Sequence, residues 1–275
     1  MRTILTSLLC AGAATLLAQT PHRDGFTDTP ILPGQQWHVH DSGRPHPKTV
    51  VPGTCSATST PAPPPSDAIV LFDGHGLQAW GQWGRGDEKG KFVDAHWNTG
   101  DGYFETGANT GDLLTREKFG DIQLHVEWSS PTKVSGDSQG RGNSGVIIMS
   151  RYEIQVLDNY NNPTYADGYA GAIYGQWPPL ANAVCPPGQW SVYDIVFEAP
   201  RFADGKLVKP AYQTVFLNGV LLHNRKEVIG RMTYRGVGTY APHGEEEPLM
   251  LQDHGNAVRY RNIWVRRLKG YDQPE

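Results

Sequence analysis

The sequence predicts an all-β fold, a sandwich or jelly roll, from three observations. Short apolar segments alternate with turn residues, and the 275-residue chain contains 32 glycines and 21 prolines. No long segment shows an apolar repeat of 3.6 residues with capping signals, which an amphipathic helix would require. Asn218-Gly219 stands between two strand-like segments and is a strong hairpin signal. Many short strands at close spacing are typical of sandwiches and jelly rolls.

The first 18 residues have the pattern of an export signal peptide. Arg2 gives a positive start, residues 4–17 are mostly apolar, and Ala18 is a small residue at the expected cleavage point. The apolar run is shorter than the about 20 residues that a membrane-spanning helix needs. Cys10 would suit a lipid anchor, but the bulky Leu9 precedes it where a small residue is expected. We therefore expect a soluble protein in the periplasm or secreted from the cell.

Charge and hydropathy argue against a nucleic-acid-binding surface and against a membrane-spanning segment in the mature chain. The formal net charge is -4 and the sequence pI is about 6.2, so no basic surface for nucleic acid is expected. Beyond the signal, no segment is long and apolar enough to span a membrane.

Residues 19–66 are predicted to form a Pro-rich N-terminal arm. The segment is rich in proline, threonine, serine and histidine, and it lacks apolar periodicity. His38 and His40 carry metal-binding groups, but a metal site needs three or four converging donors, so an exposed surface pair is expected.

Two cysteines remain beyond the signal peptide, Cys55 in the arm and Cys185 in the domain. They either form one disulfide or remain free thiols, since sequence alone does not show how close their Cα atoms lie.

Residues 67–270 are predicted to form the jelly-roll domain. Residues 122–128 alternate apolar and polar side chains, as a half-buried strand does. Residues 145–149 and 152–157 are predicted to form two strands joined by the short connection Ser150-Arg151. The remaining strands are expected at residues 68–72, 103–105, 112–115, 191–197, 212–217, 220–223, 249–254 and 260–266.

One long segment, residues 160–189, lacks strand character and is rich in aromatic residues, glycine and proline. Loops of this length in a compact domain are usually functional or disordered. Tyr165, Tyr169, Tyr174 and Trp177 favour a functional loop because aromatic rings bind the faces of sugars. A loop that only packs over the end of the sandwich would use the same side chains.

The strand from Tyr152 carries the first candidate site. Alternate residues of a strand face the same side, so Ile154 and Val156 are expected in the core, and Glu153 and Gln155 on the other face. Asp158 has the opposite parity, and a β-bulge after Gln155 would bring it to the side of Glu153. A solvated polar face is the ordinary alternative.

The spacing Glu-x-Gln-x-x-Asp resembles the catalytic strand of lichenase- and laminarinase-type jelly-roll glucanases, Glu-x-Asp-x-x-Glu. In those enzymes two glutamates act as nucleophile and acid/base, and retaining enzymes hold the two carboxyls about 5–5.5 Å apart. Gln155 and the shorter Asp158 depart from that pattern, which argues against a simple glucanase mechanism.

A second polar group follows near the C-terminus. Gln252 and His254 are expected on one face and Asp253 on the other. Histidine titrates near neutral pH and suits a general base or acid, although a histidine at a strand end is often structural. Arg259 and Arg261 alternate on the next strand and are candidates to bind hydroxyls or a carboxylate.

Two smaller features stay open. Asn143 and Ser144 enter the strand before Glu153, where short polar residues serve either turn formation or binding. Residues 137–142 lack the carboxylate pattern of an EF-hand, and no zinc pattern is present. A calcium site made of scattered oxygens leaves no sequence signature, so the sequence leaves metal binding undecided.

Taken in order, the motifs resemble the 3-keto-disaccharide hydrolase domain family. The resemblance covers about residues 67–268 and leaves out the arm. The matching segments are residues 71–74, 142–146, 152–159, 170–175, 188–190, 214–219, 251–255 and 261–264.

This resemblance implies a concanavalin-A-like jelly roll of two antiparallel sheets. It also implies action on glycosides whose 3-hydroxyl a partner oxidoreductase has oxidised to a ketone. The ketone acidifies the hydrogen at C2, so a base can remove it and the enolate can expel the C1 substituent. Addition of water then completes a hydrolysis, whereas release without water is a lyase reaction. No organic cofactor is expected.

The expected catalytic residues are Glu153 and His254, one as base and the other as acid. Donors to an enolate oxygen are often worth about 10²–10³ in rate. A retaining β-glucanase and a non-catalytic sugar-binding module remain the alternatives. The expected substrate-binding residues are Gln155, Asp158, Asn143, Tyr174, Gln252 and Arg261.

Overall fold

The computed structural model describes residues 24–107 and 110–270, and the expected signal peptide lies outside this part of the chain. Short 3-10 helices occur at Gly86–Glu88, Ser138–Gly140 and Ala166–Gly168. The strands in chain order are β1 (Lys48–Thr49), β2 (Ile69–Phe72), β3 (Trp80–Trp83), β4 (Phe92–Asp94), β5 (Asn98–Gly100), β6 (Tyr103–Glu105), β7 (Leu113–Phe119), β8 (Ile122–Ser129), β9 (Ser144–Ile148), β10 (Tyr152–Val156), β11 (Ala181–Asn182), β12 (Ser191–Glu198), β13 (Arg201–Ala203), β14 (Lys206–Lys209), β15 (Tyr212–Leu217), β16 (Val220–Glu227), β17 (Glu247–Leu251) and β18 (Arg259–Arg267).

Two antiparallel sheets build the body of the molecule, which confirms the predicted all-β jelly-roll sandwich. The six-stranded sheet has the order β10-β9-β17-β7-β3-β4. The eight-stranded sheet has the order β16-β15-β12-β8-β18-β6-β5, with β2 also paired to β18. Apolar side chains from both sheets, among them Trp80, Leu124, Tyr152 and Phe197, form one continuous core.

Strand β10 lies at the edge of the six-stranded sheet and follows the predicted alternation. Ile154 and Val156 are fully buried in the core, while Glu153 and Gln155 face away from it. The pairing with β9 runs without a register shift as far as Val156. The bulge that would turn Asp158 toward Glu153 is absent from this pair.

The long loop before β11 covers the free edge of β10. Gln155 accepts a hydrogen bond from the backbone N–H of Gly171 (2.9 Å) and donates one to the carbonyl of Ala172 (3.1 Å). Tyr174 donates its backbone N–H to the carbonyl of Glu153 (3.2 Å). The loop thereby satisfies backbone groups that an edge strand leaves open, and it brings Tyr174 beside Glu153.

The N-terminal arm lies against the domain. Leu32 and Val39 are buried, and β1 pairs in parallel with β11.

The structure also answers two questions that the sequence raised about the arm. Cys55 and Cys185 form a disulfide and are not free thiols. The expectation of an exposed histidine pair was wrong for His40, which is fully buried. An irregular segment shows no apolar period even when it is packed, so its burial left no sequence signal. Within the described residues, no helix is long and apolar enough to cross a membrane.

Candidate active site

A cavity of about 660 Å³ opens on the outer face of the six-stranded sheet, at the β10 edge. It brings together six of the eight site residues predicted from sequence. These are Glu153, His254, Gln155, Asn143, Tyr174 and Gln252.

Glu153 is the buried acidic group of this cavity, with 3% of its surface exposed. Burial, and then the negative charge of Asp112, raise the pKa of its carboxyl to about 8. The side chain lies over the backbone of Gly145, where an added Cβ would stand 2.6 Å from Oε1. Glu153 therefore holds its proton at neutral pH, and Gly145 leaves the room that its carboxyl occupies.

The segment after β17 brings Gln252 and His254 to the same cavity. Gln252 donates its backbone N–H to the carbonyl of Gly145 (3.0 Å). Asp253 points elsewhere and accepts a hydrogen bond from the backbone of Gly111 (2.8 Å). Gln252 and His254 both line the cavity, but the prediction of a strand as far as His254 was wrong, because β17 ends at Leu251 and both residues lie beyond it. His254 is exposed at the cavity wall, where a bound substrate can reach it.

Gln139 orients the two buried amides of the cavity. Its Oε1 accepts a hydrogen bond from Gln155 Nε2 (2.8 Å), and its backbone carbonyl accepts one from Asn143 Nδ2 (2.7 Å). Its own Nε2 donates to Thr164 Oγ1 and to the carbonyl of Gly168, both at 3.0 Å.

This arrangement leaves the oxygen atoms of both amides as hydrogen-bond acceptors without a donor in the part of the chain that the structure describes. Gln155 Oε1 and Asn143 Oδ1 are buried and have no hydrogen-bond partner among the described residues. Buried acceptors are nearly always satisfied, and sugar hydroxyls are donors of the right kind. The sequence missed Gln139, whose segment drew attention only as a failed metal loop.

Two tyrosines also line the cavity. The hydroxyls of Tyr165 and Tyr174 lie 2.9 Å apart, and burial raises the pKa of both, so both stay protonated. The ring of His40 packs 3.9 Å from that of Tyr165, and His40 Nδ1 lies 3.1 Å from Asp167 Oδ1. The arm thus supports the loop that carries both hydroxyls.

Two predicted residues lie elsewhere. Asp158 follows the end of β10, where strand parity no longer applies, and its carboxylate pairs with Arg141 Nε at 2.7 Å. Arg261 lies on β18 of the other sheet, where its Nε pairs with Glu127 Oε2 at 2.7 Å. The consecutive strands β17 and β18 belong to different sheets. The prediction that Arg261, on β18, lies at the same site as Gln252 and His254, which follow β17, was therefore wrong.

The cavity also has walls that the sequence did not predict. They come from the arm, the segment around Gln139 and the segment after β16. The described residues contain no group of three or more histidine, cysteine, aspartate or glutamate side chains that could hold a metal ion. The additional lining residues from these segments are Asp24, Gly25, Phe26, Asp137, Ser138, Gln139, Gly140, Met232 and Tyr234, and Tyr165 joins them from the aromatic loop that was predicted to be functional.

Comparison with known proteins identifies related molecules. A family model described as a 3-keto-alpha-glucoside-1,2-lyase-like domain matches residues 67–266. A crystal structure from Parabacteroides distasonis ATCC 8503, described as a glycosyl hydrolase, shares 43% sequence identity, with a TM-score of 0.69; the match covers 77% of this chain and 94% of that chain. A second structure from the same organism, also described as a glycosyl hydrolase, is 18% identical with a TM-score of 0.52, covers 74% of this chain and 94% of that one, and supports the fold alone. Comparison with curated proteins finds no match.

Proposed function

The chain belongs to the family of 3-keto-alpha-glucoside-1,2-lyase-like domains, and from this premise we propose that it cleaves 3-keto-glycosides by elimination across C1 and C2. The family is the one that the sequence motifs resemble. The family match and the 43% identical relative support a carbohydrate-active enzyme. The proposal adds the substrate class and the chemistry.

The observation that carries the proposal is the buried Glu153 carboxyl, whose pKa of about 8 keeps it protonated at neutral pH. A protonated carboxyl suits the step in which the glycosidic oxygen leaves C1 and needs a proton. Glu153 is therefore assigned as the general acid. This narrows the sequence-based hypothesis, which left Glu153 and His254 interchangeable.

His254 is assigned as the base. Its imidazole can act as a proton acceptor in general base catalysis, and the exposed wall position lets it return that proton to water. It takes the C2 proton, the electron pair forms the enolate of the C3 ketone, and the enolate expels the C1 oxygen, which takes the proton of Glu153. Addition of water across the C1–C2 double bond restores the 3-keto-sugar and gives net hydrolysis.

The other cavity groups bind the sugar. The buried oxygens of Gln155 and Asn143 accept hydroxyl protons, and the hydroxyl of Tyr174 donates to an oxygen of the ring or of the enolate. Gln252 stands on the same wall as His254. Donors aimed at a developing oxyanion are worth about 10²–10³ in rate each.

A retaining glucanase mechanism finds less support. It needs a second carboxyl about 5–5.5 Å from the nucleophile. Asp158, the candidate from sequence, pairs with Arg141 and is not part of the cavity lining.

We also propose that the protein acts outside the cytoplasm and downstream of an oxidoreductase that forms the 3-keto group. The Cys55–Cys185 disulfide supports an oxidising compartment. The chemistry requires the ketone before cleavage, so a 3-oxidising enzyme must supply the substrate.

The test uses methyl 3-keto-glucoside in D2O, with the products followed by NMR. We expect cleavage with solvent deuterium at C2 of the hydrated product, and no cleavage of unoxidised methyl glucoside. Glu153→Gln and His254→Ala should each lose at least about 100-fold in kcat. The exposed Glu88→Gln and His75→Ala are matched controls that should keep it. Cleavage of the unoxidised glycoside without deuterium at C2 would contradict the proposal.

A further inference from the structure

The N-terminal arm forms one wall of the cavity, although it precedes the matched residues 67–266. Asp24, Gly25 and Phe26 all line the cavity. Phe26 donates its backbone N–H to the carbonyl of His40 at 2.7 Å, and His40 in turn donates its backbone N–H to Asp167 Oδ2 at 3.0 Å. The arm is thus fastened to the loop that carries the cavity tyrosines.

The close packing of this wall depends on a glycine. Gly25 has φ +125°, and an added Cβ would stand 2.5 Å from the carbonyl oxygen of His40. Any other residue would push the segment away from His40 and move Phe26 with it. Phe26 therefore has a defined position at the cavity.

Phe26 and Tyr234 form an aromatic corner of the cavity. Their ring centroids lie 6.1 Å apart at an interplanar angle of 80°. Tyr234 is 67% exposed, so its ring is accessible to a ligand in the cavity. Arg235 fixes the other side, with its guanidinium carbon 4.0 Å from the Phe26 ring centroid and an ion pair to Asp28 at 2.8 Å.

An exposed aromatic face beside polar groups suits the apolar face of a sugar ring. The cavity volume of about 660 Å³ lies in the range of about 300–1,000 Å³ that encloses drug-sized ligands, and a disaccharide has that size. Glu153 and the oriented amides occupy the deep part, so the aromatic corner is free for a second ring.

We propose that Phe26 and Tyr234 form a second sugar subsite, which holds the ring of the leaving group while the 3-keto ring lies at Glu153. The inference rests on the proposed function for the order of the two rings. It makes the arm a specificity element that selects disaccharides over glycosides with a small leaving group.

The test compares a substrate that fills both subsites with one that fills a single subsite. Tyr234→Ala should lower kcat/KM about tenfold for 3-keto-trehalose and change it less than twofold for methyl 3-keto-glucoside. Tyr234→Phe keeps the ring and should keep both rates within about twofold. Trp83→Ala removes another exposed aromatic ring, 58% exposed on β3, and should change neither. Phe26→Ala should repeat the selective loss with a comparable melting temperature.

The outcomes separate the two proposals. Equal losses on both substrates, or no loss on either, would overturn the subsite. If the wild type turns over neither keto-sugar, the proposed function fails, and calorimetry with unoxidised trehalose then tests the subsite alone. Binding that Tyr234→Ala weakens while Trp83→Ala does not would still support the subsite. Absent or unchanged binding would overturn it.

Discussion

The outer face of each sheet carries a buried glutamate, and the two glutamates differ in whether cationic and hydrogen-bonding side chains pair with them. On the eight-stranded sheet, Glu127 accepts hydrogen bonds from Arg261 Nε (2.7 Å) and Asn262 Nδ2 (2.8 Å), and His125 Nδ1 lies 2.7 Å from Asp194 Oδ1. On the six-stranded sheet, Glu153 is also buried, but the charge that acts on its carboxyl is the negative charge of Asp112.

The pKa shifts express the same contrast. Burial would raise the pKa of Glu127, but hydrogen bonds from His125, Asn262 and Arg261 outweigh it and lower that pKa. For Glu153, burial and the charge of Asp112 act together and raise its pKa to about 8. A paired buried carboxylate holds structure together, whereas an unpaired one is available for chemistry.

The arm contacts both faces and differs between them in the same way. Near the eight-stranded sheet, Ser59 and the carbonyl of Ala62 accept hydrogen bonds from Arg261 and Asn262. At the six-stranded sheet, Phe26 lines the cavity. One segment thus closes a structural network on one sheet and lines the cavity on the other.

The largest expected effect separates the two glutamates. Glu153→Gln should lower kcat on methyl 3-keto-glucoside by about 10²–10⁴, because it removes the general acid. Glu127→Gln should leave kcat within about twofold but lower the free energy of unfolding by about 3–5 kcal/mol, because it leaves Arg261 buried without its partner charge. Steady-state kinetics and urea denaturation measure the two effects. Loss of activity in Glu127→Gln at full folding would break the comparison.

The pH dependence of stability should also separate the faces. In the folded protein the pKa of Glu153 is about 8, against an ordinary value of 4.5 for a glutamate in the unfolded chain, so the folded state binds an extra proton between these two pH values. Its contribution therefore falls as pH rises from 4.5 to 8, by about 1.4 kcal/mol per unit at most. The difference between wild type and Glu153→Gln in urea denaturation isolates this contribution. A difference that does not change with pH would contradict the assignment.

His125 should act in a different pH window. Burial lowers its pKa, but Asp194 and Glu127 outweigh burial and raise it from 6.5 to about 9. The stability that this charge supplies is complete below pH 6.5 and is lost as pH rises through 9. His125→Gln should remove that loss and leave the slope below pH 6.5 unchanged. Denaturation of both proteins from pH 5 to 9.5 checks this expectation.

A smaller effect is expected at Gln139, which orients the two cavity amides. Gln139→Ala should raise KM about tenfold and lower kcat less, because Gln155 and Asn143 then turn freely and lose their aim at sugar hydroxyls. Gln139→Glu keeps the acceptor oxygen toward Gln155 and should recover part of the loss. A fall in kcat with unchanged KM would contradict a positioning role.

The smallest catalytic effect is expected at Asp158. Asp158→Asn should change kcat/KM less than threefold, because the carboxyl faces Arg141 outside the cavity lining. The Arg141 pairing makes some loss of stability expected, so rates are compared per folded molecule. A loss of 100-fold or more would return the glucanase mechanism to consideration.

Much of the fold followed from local pattern. The alternation in β8 and β10 and the hairpin at Asn218-Gly219 are short-range signals, and all three appear in the structure. Strand parity predicted correctly that Glu153 and Gln155 face the same side of β10. The sequence did not predict the positions of Asp158 and Arg261, because the end of a strand and the assignment of a strand to a sheet depend on tertiary packing.

The rest of the site could not be predicted because it comes from irregular segments. Gln139, Phe26 and Tyr234 lie in loops or in the arm, where no periodicity marks a side chain that faces a cavity. Their roles depend on contacts between distant parts of the chain, as His40 with Asp167 illustrates.

The most direct test of the account is the pH profile of kcat on methyl 3-keto-glucoside between pH 5 and 10. If protonated Glu153 is the acid, kcat should fall tenfold per pH unit above an apparent pKa near 8, and this descending limb should be absent from the residual rate of Glu153→Gln. A kcat that rises through pH 8 to a plateau would show that Glu153 acts as a base, and would contradict the central claim.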